Sequence, residues 1–234
     1  MQNKIKSKKS RASNVGWICV AAAVVCAGCS TEGYHKSNAA AMSMQTAAQE
    51  VRAESQALEL TMEGLRNLVN EPGADLRRPY KHFSSSLAEL VVASNRTETT
   101  GKRMEERSAA YLQAWDRQLG LIDFDHVREV SQSRKTEVAN HFEAVARRYQ
   151  ESQAVMKPLI SYLQDIKHAL NTDLTSPGLE SMKGVAQNAS DNAAKVHVAL
   201  DALISELSNS SSRMSSIAYQ QARPNQQGRQ GQEN

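Results

Sequence analysis

Along four stretches of this chain the apolar residues recur in alternating steps of three and four, a spacing that leaves little room for anything but long helices packed side by side. The first stretch carries Met44, Ala48, Val51, Ser55, Leu58, Met62, Leu65 and Val69 on one stripe. The second runs Tyr80, Phe83, Leu87, Leu90, Ser94, Thr97, Gly101, Met104, Ser108, Tyr111, Trp115 and Ile122, apolar at its ends and small or polar in its middle. The third begins at Val127 and passes through Val138, Phe142, Val145, Tyr149, Ser152, Met156 and Leu163 to Leu170. The fourth shows Met182, Val185, Ala189, Ala193, Val196, Leu200, Leu203 and Leu207. Each stripe leaves the rest of its helix polar, which predicts an all-α fold: an elongated antiparallel four-helix bundle, or coiled coil, with a long central hairpin.

The breaks between stretches set the topology. Pro72 and Gly73 stop the first helix, residues 120–124 form a tight corner, and Asn171 to Pro177 make the last break, with Ser176 as the expected cap and Pro177 at the first helical position. Pro158 falls inside the third stripe and is expected to bend that helix. At 1.5 Å per residue the second and third helices are rods of roughly 65 to 70 Å, the first and fourth of roughly 45 to 50 Å. The corner between the long helices is therefore expected to protrude at the end where the first helix begins. Its apolar residues Leu119, Leu121, Ile122 and Phe124 are candidates for contact with a membrane.

The N-terminus supplies the membrane. Lys4, Lys6, Lys8, Lys9 and Arg11 precede an uncharged stretch, Val15 to Gly28, that is too short for a comfortable span but suits a secretory signal. Ala27 and Gly28 then lead into Cys29, placed as the acylated cysteine of a bacterial lipoprotein, although Cys26 stands where such leaders usually carry Leu. The expected organisation is a signal peptide over 1–28, a lipidated tether over 29–36, a helical domain over 37–208 and a disordered Ser/Gln/Asn/Gly-rich tail over 209–234. Removing the leader takes five of the 28 basic residues and none of the 25 acidic ones, which leaves 23 against 25. That near-neutral balance speaks against a nucleic-acid partner. The leader also removes Cys19 and Cys26, so no intrachain disulfide is expected. Ser30 directly after the acceptor points to the periplasmic face of an outer membrane.

Several motifs together carry a family resemblance. Gly33-Tyr-His-Lys36, the Leu-x-x-Trp-x-x-x-Leu run around Trp115, Met156-Lys-Pro-Leu159 and Ile166-Lys-His-Ala-Leu-Asn171 occur in an order that resembles the domain of unknown function 2959 family, a bacterial lipoprotein-like family. The resemblance spans roughly residues 31 to 207. It implies an all-helical, coiled-coil envelope protein and assigns no catalytic residue. The Gln-rich tail and the sparse acidity of the second helix depart from the family's pattern.

Chemistry-bearing residues do not gather into a recognisable catalytic pattern. Asp123, Asp125, His126 and Glu129 crowd the corner, where Asp123 or Asp125 is expected to cap the third helix rather than to bind a metal. His126, His141, His168 and His197 lack the spacing that would bring two onto one ion from one helix. No Gly-x-Ser-x-Gly elbow or phosphate-cradling glycine loop occurs. Ser94, Thr97 and Gly101 are expected to face the third helix between Phe142 and Tyr149, small against large. The resulting expectation is a non-enzymatic, cofactor-free scaffold or interaction module, held by membrane lipid at Cys29, with a helical partner or a second copy. The alternative is a peripheral lipid-handling bundle.

Overall fold

The computed structural model describes residues 32–70 and 75–214. It contains four helices, α1 (Glu32–Asn70), α2 (Arg77–Leu119), α3 (Asp125–Thr172) and α4 (Ser176–Met214). Each helix packs on its neighbours in the cyclic order α1, α2, α3, α4, with α1 on α2 the most extensive seam and α2 on α3 the thinnest. This is the antiparallel four-helix bundle that the spacing requires. Residues 1–31, which hold the expected signal peptide and Cys29, residues 71–74 with the Pro72-Gly73 break, and residues 215–234 lie outside the described residues.

The stripes read from the sequence are the core. Phe83, Leu87, Leu90, Met104, Val145, Met156, Leu163, Ile166, Leu170, Val196, Leu200, Leu203 and Leu207 are all buried in one continuous cluster. The helix ends differ from expectation in three places. First, α1 starts at Glu32, so most of the expected tether is already helical. Second, α4 continues through residues 209–214, because Ser210, Ser211 and Met214 are buried and Ser211 Oγ donates to the Ala41 carbonyl at 3.1 Å. A serine of this size packs against a helix much as alanine does, and its hydroxyl finds a backbone acceptor. Third, α1 and α4 have 39 residues each, roughly 58 Å, longer than the seams alone suggested.

The caps also shift. Thr175, not Ser176, caps α4: its Oγ1 accepts the Gly178 N–H at 3.2 Å and donates to Asp173 Oδ1 at 2.7 Å. The close turn needs Gly178, since a β-carbon there would come within 2.5 Å of the Asp173 carbonyl oxygen. At the start of α3 the cap position is Phe124, in extended backbone without a side-chain cap bond, so neither Asp123 nor Asp125 serves as the cap. Pro158 sits within a single uninterrupted α3.

Register follows from cross-helix bonds. Thr97 Oγ1 donates to the Glu50 carbonyl at 3.4 Å, and Gly64 lies against Phe83, which sets α1 on α2. Continued to its beginning, α1 starts about level with Trp115. On the other flank, Ser37 Oγ donates to the Met214 carbonyl at 3.1 Å and Arg134 to the Arg213 carbonyl at 3.3 Å, so α4 reaches α3 only to about residue 134. The hairpin of α2 and α3 therefore projects past the described end of α4 by about nine residues of α3, roughly 13 Å, and past that of α1 by about four residues of α2, roughly 6 Å.

Candidate functional site

Two regions stand out, the projecting hairpin tip and a polar layer at mid-rod. At the tip the chain turns through residues 120–124, with Leu121 N–H bonded to the Gln118 carbonyl at 3.0 Å and Ile122 N–H to the Leu119 carbonyl at 3.3 Å. Arg128 takes over the role expected of the aspartates. Its guanidinium donates to the Ile122 carbonyl from Nε at 3.1 Å and from Nη2 at 2.5 Å, and pairs with Asp125 at 2.7 Å. Trp115 Nε1 donates to Ser131 Oγ at 2.9 Å, and Lys135 pairs with Asp116, so α2 and α3 are tied together close to the corner.

The four apolar corner residues divide. Leu119 is buried, at 7 % exposure, and so has little surface to offer a membrane. Ile122 is half-buried. Leu121 and Phe124 are open to solvent at 71 % and 78 %. Val127 and Val130 join them at 53 % and 60 %. Val127 stands on the buried stripe of α3, eleven residues before Val138, where its spacing predicts core. It is exposed because neither α1 nor α4 extends far enough to cover it.

The second region centres on Glu54, a residue the sequence reading passed over. Glu54 on α1 has no exposed surface, and neither of its carboxylate oxygens has a hydrogen-bond partner. Burial pushes its pKa up, and the nearby Ser94 and Thr97 hydroxyls offset this only in part. Thr97 is already engaged with the Glu50 carbonyl. Tyr149 on α3 is equally isolated: its hydroxyl is buried without a partner, and its pKa is raised first by desolvation and then by Glu54 and Glu50. The side-chain amide of Gln153 is buried and unpartnered as well. Gly101 lies flat against the Tyr149 ring, where a β-carbon would come within 2.8 Å of Cε1, so this residue faces α3 as expected, whereas Ser94 and Thr97 turn to Glu54 and Glu50 on α1.

This layer borders the thinnest seam. Between α2 and α3 a cleft of about 220 Å³ is lined by Gly101, Met104, Ala146, Tyr149, Gln153 and Lys157, among others. Glu98 spans its mouth, pairing with Lys102 at 2.9 Å on its own helix and with Lys157 at 3.2 Å on α3. Those two contacts, Lys102 first, hold the Glu98 carboxyl below its ordinary pKa. Tyr149 and Gln153 line the cleft, but the polar atoms of both are shielded from solvent, so a polar molecule or water reaches them only if this seam opens.

The histidines do different work. His197 Nδ1 and Ser55 Oγ are 3.2 Å apart, linking α4 to α1, and His141 approaches Arg213 at 3.5 Å. Among the described residues no three His, Cys, Asp or Glu side chains stand together in a way that could hold a metal ion. No described helix is long and apolar enough to cross a membrane.

The family described as Protein of unknown function (DUF2959) matches residues 27–215, which takes in all four helices. The chain belongs to the DUF2959 family. No curated protein and no solved structure matches it. For this DUF2959 protein the matched span begins two residues before Cys29 and ends one residue beyond Met214, so the family unit coincides with the bundle.

Proposed function

We propose that this protein is a non-enzymatic, lipid-anchored helical module of the bacterial envelope, a scaffold that presents a rod to a helical partner or to a second copy. The observation that carries the reading is the start of α1 at Glu32, three residues after Cys29. An acyl anchor at Cys29 would pass almost directly into a rigid rod, with the chain held at one end and its flanks open to side-on contact. The basic, apolar and small-residue order of residues 1–28 supports acylation. Ser30 supports delivery to the periplasmic face of the outer membrane.

A lipid-handling role is the second reading, and it draws on one observation. The cleft between α2 and α3 is lined by Tyr149 and Gln153, whose polar atoms are buried and lack partners. Opening of the thinnest seam would expose that layer.

Expression of the full chain in a Gram-negative host separates these readings. Intact mass and fractionation should give a chain that begins at Cys29, carries acyl groups and sediments with outer membrane. A Cys29→Ser chain should leave that fraction. An unprocessed or unacylated wild-type product would overturn the anchor. Crosslinked capture of the acylated chain should then give a protein partner or a homo-oligomer. A bound lipid that co-purifies with the leader-free bundle, with no protein partner, would favour the second reading.

A further inference from the structure

We propose that the hairpin tip is a preformed wedge that enters the apolar part of the same membrane to which Cys29 is attached, with Leu121, Phe124, Val127 and Val130 as its contact face. This rests on the anchored reading given above and adds an orientation to it: the rod stands tip-down, with α1 rising from the bilayer beside the wedge.

Three observations converge on the tip. The large exposed apolar residues of the described chain are eight, and four of them fall within residues 121–130, whereas Met42, Leu60, Val92 and Val198 are scattered along the shaft. Isolated apolar residues on a surface need no explanation, but a cluster at one end does. The cluster also continues a core stripe. Val127 and Phe124 lie in register with Val138 and Phe142, so the same face that is buried along the shaft runs on past α1 and α4 uncovered.

The second observation is rigidity. Arg128 fixes the corner carbonyl of Ile122, and Trp115 with Ser131 fastens the two helices just behind it. The apolar side chains are thus displayed on ordered backbone, and docking would carry little ordering cost.

The third observation is charge, and it selects the occupant. Around the tip Asp116, Asp123, Asp125 and Glu129 outnumber Arg117 and Arg128, so the surface is not one that an anionic headgroup layer would attract. Association must come from apolar burial in the acyl region, which makes it indifferent to added salt and to anionic lipid. The lipid at Cys29 would supply proximity, because α1 begins at this end and only a few residues separate the acceptor from the helix.

The test uses the acylated full-length product. Acylation consumes Cys29, so a Leu121→Cys or Val198→Cys substitution leaves one reactive thiol in each processed chain. Each is labelled with an environment-sensitive fluorophore and placed in phosphatidylcholine vesicles with or without brominated acyl chains. The label at 121 should shift to the blue and be quenched several-fold more by the brominated lipid than the label at 198, with no change in high salt. Adding Phe124→Ser and Val127→Ser should remove most of that quenching without altering the helical signal, since both residues are exposed. Equal quenching at both sites, or none at 121, would overturn the proposal. So would a label at 121 that is already shielded without vesicles: loss of shielding on dilution would identify a second copy, and loss on truncation after Met214 the chain's own tail. If intact mass shows no acyl group, the anchored reading fails on its own. In that case Cys19, Cys26 and Cys29 are replaced by Ser, and the same labels on that unacylated chain, at saturating vesicle concentration, still decide whether the tip enters lipid.

Discussion

Replacing Glu54 by glutamine keeps the shape of the side chain and removes its ability to ionise, and the two chains should differ in how stability depends on pH. Glu54 is fully buried and its carboxyl pKa is raised in the fold by desolvation. In the unfolded chain it titrates near its ordinary value of 4.5. Between those two values the folded protein retains a proton that the unfolded chain has released. Stability from this group is therefore greatest below the unfolded pKa and falls as pH rises toward the folded pKa. The slope is about 1.4 kcal/mol per pH unit while the window lasts. Against the roughly 5–15 kcal/mol that holds a typical domain together, a slope of that size is readily measured. The opposing groups, Glu98 and Glu137, have lowered pKa values but are solvent-accessible and common to both chains. They drop out of the comparison. Denaturant titrations followed by circular dichroism from pH 4 to pH 8 should show wild type losing ground to Glu54→Gln across this range. Parallel curves, or a wild type that gains on the variant as pH rises, would refute the claim that this carboxyl is buried without compensation.

Other outcomes follow from the same packing. Gly178→Ala should destabilise by about 1–3 kcal/mol, because the new β-carbon meets backbone at Asp173, whereas Gly184→Ala, with nothing within 4 Å, should stabilise by about 0.5–1 kcal/mol; paired thermal melts test both. Leu163→Ala, at a fully buried position, should cost about 2–5 kcal/mol in denaturant unfolding. Thr175→Ala should cost about 1 kcal/mol through loss of the α4 cap, while Ser176→Ala should change little; urea midpoints compare the two.

How far the sequence discloses this molecule depends on what kind of signal each feature leaves. The α2 and α3 seams were readable residue by residue because coiled-coil spacing is imposed by burial itself. Gly101 opposite Tyr149 was readable for the same reason. Glu54 was not, because the stripe was drawn through Ser55, although Ala47, Glu54, Thr61 and Leu68 form a second stripe in steps of seven and all are buried. A helix that touches two neighbours buries two stripes, and α1 packs on both α2 and α4. At the tip, spacing marked Val127 as core but carried no information on where α1 and α4 stop. The extension of α4 to Met214 leaves a single hydrophobic trace, Met214 itself, since the other buried positions there are Ser210 and Ser211. Arg128 as corner clamp depends on a bend in the backbone that charge pattern does not reveal.

A buried carboxyl that costs stability calls for a compensating use, and register is the use that the geometry suggests. Heptad seams can slide by seven residues and still match apolar to apolar. Sliding α1 that far on α2 would move Glu54 from the Ser94 and Thr97 hydroxyls to the apolar neighbours Leu87 and Leu90, with Ser86 the one buried hydroxyl at that level. Sliding α2 on α3 would set the Tyr149 ring against the β-carbon of Ser94 or Ser108 in place of Gly101, with which it is in close contact. The polar layer thus penalises wrong alignments more than it weakens the right one, which gives a hypothesis: Glu54 exchanges stability for a single register. Glu54→Leu should then unfold at higher denaturant concentration at neutral pH and yet populate more than one alignment. Spin labels placed at exposed positions 60 on α1 and 92 on α2 would report this as a second distance separated from the first by about 10 Å, one heptad of rise. A single, unbroadened distance in the leucine variant would show that the apolar seams fix the register without help from Glu54.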